Sequence, residues 1–189
     1  MNAPRVVADL RELASRTSTP DGAQLLCWGP VWRDARTWFR GKIDELKLAN
    51  REAGAPGVEL TTDPAGNNWV TLAGASPKTV IVGSHLDSVP NGGWLDGCLG
   101  VMAALEALRM YAGTKPPVTL KLVDWADEEG ARFGRSLLGS SAAAGSLKVD
   151  DIRELQDRQG TRLVDALAEH GVALTTLLDA HGELKTIDA

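Results

Sequence analysis

The sequence predicts an α/β fold, a mixed and largely parallel sheet with flanking helices, and three observations carry that expectation. Residues 79–125 read strand, helix, strand, which is a βαβ unit. Residues 31–48 carry an amphipathic helical pattern long enough to cover one face of a sheet. The chain has 189 residues, 43% of them hydrophobic, which suits one or at most two globular domains.

Taken in order, Val6–Arg16 is a short helical segment and Thr17–Gly22 (TSTPDG) a turn or loop, while Gln24–Gly29 has no clear pattern. In Val31–Leu48, the apolar Val31, Ala35, Trp38, Phe39, Ile43 and Leu46 fall at steps of three and four. Arg33, Arg40, Lys42, Asp44 and Lys47 lie mostly opposite. Pro30 stands at the helix start, where a missing N–H costs nothing. Gly54–Gly57 breaks the pattern, Val58–Thr62 is a short strand, and Asp63-Pro64-Ala65-Gly66-Asn67 is a turn. Trp69–Leu72 and Thr79–Val82 are expected to be neighbouring strands, the second of them buried. Val101, Leu105 and Leu108 form one face of a helix running to about Ala112, which Lys115-Pro116-Pro117 stops. Val118–Trp125 is a strand with one face buried. A Gly/Ser/Ala-rich stretch to Gly145 would allow close packing or close approach to a bound group. Asp150–His170 reads as polar and mostly helical, and Leu174–Ala180 as a short helical piece.

Several function classes are disfavoured. The net charge is −5 with scattered basic residues, so nothing suggests nucleic acid. No run approaches the roughly 18 apolar residues of a membrane span, and the polar N-terminus lacks the apolar core of a signal peptide. Cys27 and Cys98 are too few for a disulfide framework or a thiolate zinc site. A cytoplasmic location is expected.

The chemistry concentrates in Thr79–Gly100, TVIVGSHLDSVPNGGWLDGCLG. An apolar β-branched run ends at Gly83-Ser84, and His85, Asp87 and Asp96 follow, the last two separated by the turn-forming Asn91-Gly92-Gly93. In open α/β sheets, ligands bind outside the carboxyl ends of parallel strands. His85 follows one such strand, Glu128 and Glu129 follow the next, and Asp96 lies on the loop between strand and helix. Singly, each has a plain explanation: a hydrogen-bonded His-x-Asp pair, an Asp-Gly turn, a solvated pair of glutamates. Together they suit ligation of a hard or borderline cation such as Zn²⁺ or Mn²⁺. His170 and His181 each precede a glycine and read as cations at helix ends rather than as ligands.

Three motifs carry a family resemblance: His85-Leu86-Asp87-Ser88-Val89 with Asn91-Gly92-Gly93-Trp94-Leu95-Asp96-Gly97, Glu128-Glu129-Gly130-Ala131-Arg132-Phe133-Gly134, and Gly139-Ser140-Ser141. The chain resembles the zinc-dependent amidohydrolase branch of the M20 metallopeptidase superfamily, from about Asp21 to Gly145. That branch holds N-carbamoyl-L-amino-acid hydrolases, allantoate amidohydrolases and β-ureidopropionases. The resemblance implies a zinc-exopeptidase-like catalytic domain, of which residues 1–189 are the N-terminal part. It implies two divalent ions, zinc or manganese with cobalt or nickel as substitutes. His85 would bind one ion, Asp96 would bridge both, Glu129 would bind the second, Glu128 would be the general base, and Asp87 would orient His85. Family members are longer, with a lid and dimerisation domain and two further histidine ligands. The resemblance therefore implies weak or partial metal occupancy here, and a second polypeptide supplying the remaining ligands and the lid. The implied substrates are carbamoyl or ureido compounds. The alternatives are an aminoacylase or peptidase of the same superfamily, or an incomplete structural subunit or pseudoenzyme.

Overall fold

The computed structural model describes residues 1–185 and 187. Helix α1 (Ala3–Thr17) starts at Asn2, whose side chain accepts the Arg5 amide. Where a loop was expected, a tight hairpin joins β1 (Ser18–Thr19) to β2 (Gly22–Ala23). Helix α2 (Pro30–Glu52) extends past the apolar pattern at both ends, with Pro30 in its first turn. Strands β3 (Val58–Thr62), β4 (Asn68–Leu72) and β5 (Ser76–His85), helix α3 (Cys98–Arg109) and strand β6 (Val118–Trp125) follow.

The four-stranded sheet has the order β3-β4-β6-β5. β5 and β6 are parallel through α3, as the βαβ reading requires, while β3–β4 and β4–β6 are antiparallel. The sheet is mixed as expected, with its parallel part limited to one pairing of three. The expectation that the β4 and β5 segments are neighbours is corrected, because β6 lies between them. The crossover through α3 returns the chain beside β5, and β4 then pairs on the other side of β6, from Asn68 opposite Asp124 to Leu72 opposite Leu120. β5 is thus an edge strand rather than a buried one, and Val80 is 46% exposed.

Helices α1, α2 and α3 pack with the sheet around one apolar cluster that includes Leu13, Phe39, Ile43, Leu72, Leu105 and Leu122. A second cluster joins Trp28 and Trp32 to Ala126, Phe133 and the C-terminal segment. That segment contains α4 (Leu138–Ala143), α5 (Leu163–Glu169) and α6 (His181–Lys185), with 3-10 turns at Val149–Asp151 and Leu177–Ala180. The expected mostly helical Asp150–His170 is largely irregular. Asp157 Oδ1 accepts the amides of Gln159 and Thr161, and Gly160 has φ +83°, so a side-chain-closed turn replaces the helix there.

Candidate active site

β5 ends at His85, which is 6% exposed, and β6 runs parallel beside it, with Trp125 opposite His85. The carboxyl ends of both strands therefore deliver their loops to one edge. His85 Nδ1 lies 2.9 Å from the Asp87 carbonyl oxygen, which can only accept, so Nδ1 carries the proton. In the neutral ring Nε2 then carries the lone pair, and it lies 3.5 Å from Glu128 Oε2. The Asp87 carboxylate is 3.5 Å from Nδ1 and holds the next loop instead: Oδ1 accepts the Glu128 amide at 3.3 Å and Oδ2 the Glu129 amide at 3.0 Å. One buried aspartate thus ties both strand ends together.

Asp96 lies exposed in the turn before α3. Its neighbour Gly97 has φ +64° and packs its backbone on the His85 ring, where a Cβ would sit 2.5 Å from Nδ1. That close approach fixes the backbone next to Asp96 against the imidazole. The preceding loop is pinned to β2, with the Ala23 amide on the Gly92 carbonyl at 3.0 Å and Gln24 on Asn91 Oδ1 at 2.6 Å.

The electrostatics follow from crowding. Glu129 is raised above the usual carboxylate range, chiefly by burial, then by Asp96, Glu128 and Asp87, while His85 opposes the rise. Burial works against the His85 imidazolium, but Asp87 and Glu128 outweigh it and push the ring up to about 9. One imidazole among several carboxylates is a donor set that a divalent cation would relieve. That chemistry fits the expected metal.

The structure brings His85, Asp87 and Glu128 into direct contact and sets Glu129 beside them through its amide. His85, Asp96 and Glu129 do not share a common ligand-distance cluster among the described residues. Donors of Cys27, Asp87 and Asp127 lie within 4.8 Å of one another, all buried. The Cys27 thiol is pushed well above its ordinary value by burial first and then by Asp127 and Asp87, so it stays protonated. These three form a buried cluster, and its Asp87 also contacts His85.

Asp127 is the residue that sequence reading passed over. It has φ +54°, a costly conformation for a residue other than glycine. Its Oδ2 accepts the Trp28 indole N–H at 2.8 Å, while Oδ1 is buried without a hydrogen-bond partner among the described residues. Burial, then the charge of Asp87, pushes it up to about 7. Asn67 and Asp124 were missed likewise. Asn67 Oδ1 accepts the Ala126 amide at 2.9 Å, and Asp124 Oδ1 accepts the Leu86 amide at 3.0 Å. The small residues at 139–141 serve close packing, since a Cβ on Gly139 would strike the Asn67 side chain and the Ala126 backbone. His170 Nδ1 is bonded to the Ala166 carbonyl and His181 Nδ1 to the Ala143 carbonyl.

The family model that matches is described as Peptidase family M28 and covers residues 49–180. The chain is 35% identical over 158 residues to an allantoate amidohydrolase of Bacillus subtilis, covering 82% of this chain and 36% of that protein. It is 38% identical over 143 residues to an N-carbamoyl-L-amino acid amidohydrolase of Geobacillus stearothermophilus, covering 74% of this chain and 34% of the relative. A solved hydantoinase/carbamoylase family amidase from Burkholderia ambifaria superposes with a TM-score of 0.73 at 34% identity, covering 90% of this chain and 41% of that one. Over these alignments the chain spans about a third of the length of the curated relatives it matches.

Proposed function

This chain belongs to peptidase family M28, within the M20/M28 zinc amidohydrolase-like group, and from that premise we propose that it is the metal-binding part of an enzyme that hydrolyses linear amide or ureido C–N bonds. The observation that carries the reading is the meeting of His85, Asp87 and Glu128 at adjacent parallel strand ends. In this reading His85, through Nε2, Asp96 and Glu129 would hold zinc or manganese. A bound divalent cation polarises the substrate carbonyl and lowers the pKa of water toward about 7. Glu128 takes the proton from the attacking water and passes it to the leaving nitrogen. Asp87 keeps the imidazole and both glutamates in register.

Carbamoyl amino acids or allantoate-type compounds are the substrates proposed, after the names of the relatives. Two free, buried cysteines suit a reducing compartment such as the cytoplasm. We further propose that a second polypeptide completes the site with its remaining ligands and a lid. The edge of β5, unpaired among the described residues, and the exposed Val89, Trp94, Leu95 and Leu99 around the loop of Asp96 support that proposal. The family description favours a peptidase as the second reading. Ammonia release from N-carbamoyl-L-amino acids or allantoate, set against cleavage of dipeptides and N-acetyl amino acids, separates the two. Turnover of the peptides alone overturns the ureido reading.

A further inference from the structure

Residues 23–28 precede the matched family region and run past both loops that bear the proposed site residues. The contacts follow chain order. The Ala23 amide bonds the Gly92 carbonyl and the Gln24 side chain bonds Asn91, both on the loop that leads to Asp96. Leu25 exchanges two bonds with Ser88, the residue after Asp87. Its amide donates to Ser88 Oγ at 3.1 Å, and its carbonyl accepts the Ser88 amide at 3.0 Å. Trp28 then reaches the loop of the two glutamates.

That loop holds Trp28 at two points. The indole N–H donates to Asp127 Oδ2 at 2.8 Å, and the Trp28 carbonyl accepts from Arg132 Nη1. Arg132 is itself fixed, with its Nε donating to Asp157 at 3.0 Å. Asp127 directly precedes Glu128, and Arg132 lies three positions after Glu129, so two bonds to one residue bracket both glutamates. Between the brackets, Asp87 accepts the Glu128 and Glu129 amides. Trp28 and Asp127 are both buried, so water offers neither a substitute partner.

Backbone strain gathers on the same parts. The non-glycine residues with positive φ among the described residues are Trp28 (+58°), Asn91 (+57°), Asp127 (+54°) and Leu137 (+58°). The first three belong to the contacts just named, and the Leu137 amide donates to the Glu128 carbonyl at 2.7 Å. Such conformations persist only where the surroundings hold them, and here the cross-bonds do so. Plain packing does not account for this pattern. Trp32 shows packing alone: it is buried in the same cluster, and its Nε1 has no hydrogen-bond partner among the described residues.

We propose that Trp28 is a positioning residue for Glu128 and Glu129, the last hold of a strap over residues 23–28 that sets the two site-bearing loops against one another. This deepens the metal-site reading above and rests on it. Without the indole N–H, Asp127 is released and the glutamate pair loses the fixed turn that precedes it.

The test compares Trp28→Phe with Trp32→Phe in the 189-residue chain. Each variant removes an indole from the same cluster, and only the first removes a hydrogen bond seen among the described residues. Amide hydrogen exchange followed by NMR reads the loop without metal, with the Leu122 amide in the sheet as the measure of global opening. Relative to Leu122, the Glu128 and Glu129 amides should exchange about tenfold faster in Trp28→Phe than in Trp32→Phe. A titration with Co²⁺, followed by its visible absorption, should show binding about tenfold weaker in Trp28→Phe than in Trp32→Phe. Equal relative exchange in the two variants, or equal Co²⁺ affinity, overturns the proposal. A wild-type chain that binds no Co²⁺ while the exchange contrast holds overturns the metal-site reading and supports the strap.

Discussion

At Glu128 and Glu129, adjacent carboxylates meet different surroundings. Glu128 faces the His85 Nε2 atom at 3.5 Å, and Glu129 lies deeper in the field of Asp96 and Asp87. In the complete enzyme, Glu128→Gln should keep its metal and lose about 10²- to 10⁴-fold in turnover, since the change removes a base. Glu129→Gln should lose metal as well. Elemental analysis of both variants decides it, and equal metal loss would mean the roles are wrongly divided. Asp87→Asn replaces one of the two oxygens that each accept a backbone amide with an NH2 donor, so metal affinity should fall about 10- to 100-fold.

At the scale of elements, packing rather than chemistry sets the limits. Gly139→Ala would drive a methyl into the Asn67 carboxamide and the Ala126 backbone, costing about 1–3 kcal/mol and shifting the loop that carries Glu128. Thermal unfolding of the variant measures that cost. The unpaired edge of β5 makes a second expectation: in the isolated chain, outward-facing β5 amides should exchange with solvent far faster than those of β6, which is paired on both sides. Equal protection would show that something covers that edge. Most elements were legible in the sequence because periodicity reports burial directly, as in α2, β3, β6 and the βαβ unit. Strand order was not, because β5 is as apolar as a central strand and nothing local records that β6 inserts beside it. His85, Asp87, Glu128 and Glu129 stood out through residue type and strand-end placement. Asp124, Asp127 and Asn67 did not, since their roles rest on contacts across 38, 99 and 59 positions of sequence.

Over the whole molecule, α1 adds acid-labile contacts to the apolar face that it packs into the core. Glu12 is held down to about 2 by Lys42 and then Trp38, and Glu106 is lowered by Arg5 and the Asn2 amide. Both folded values lie below the unfolded carboxylate value of about 4.5, so their stabilisation is present above that pH and is lost as pH falls toward 2. The melting temperature should therefore drop between about pH 5 and pH 2, and Glu12→Gln with Glu106→Gln should flatten that drop while lowering stability at pH 7. An unchanged acid slope in the double variant would remove these two groups from the account.

The family match begins at residue 49, near the end of α2, and that boundary tempts one to trim the protein there. All five proposed site residues would survive the cut. Arg36 would not, and Asp124, 0% exposed at the centre of the sheet, would keep its charge without its counter-ion. Stranding a buried charge in this way typically costs about 3–5 kcal/mol, a large share of a domain's net stability. The shortest stretch that contains the motifs is thus not the shortest stretch able to hold them in place: for expression, evolution or recombination, the indivisible unit reaches back to the first turns of α2.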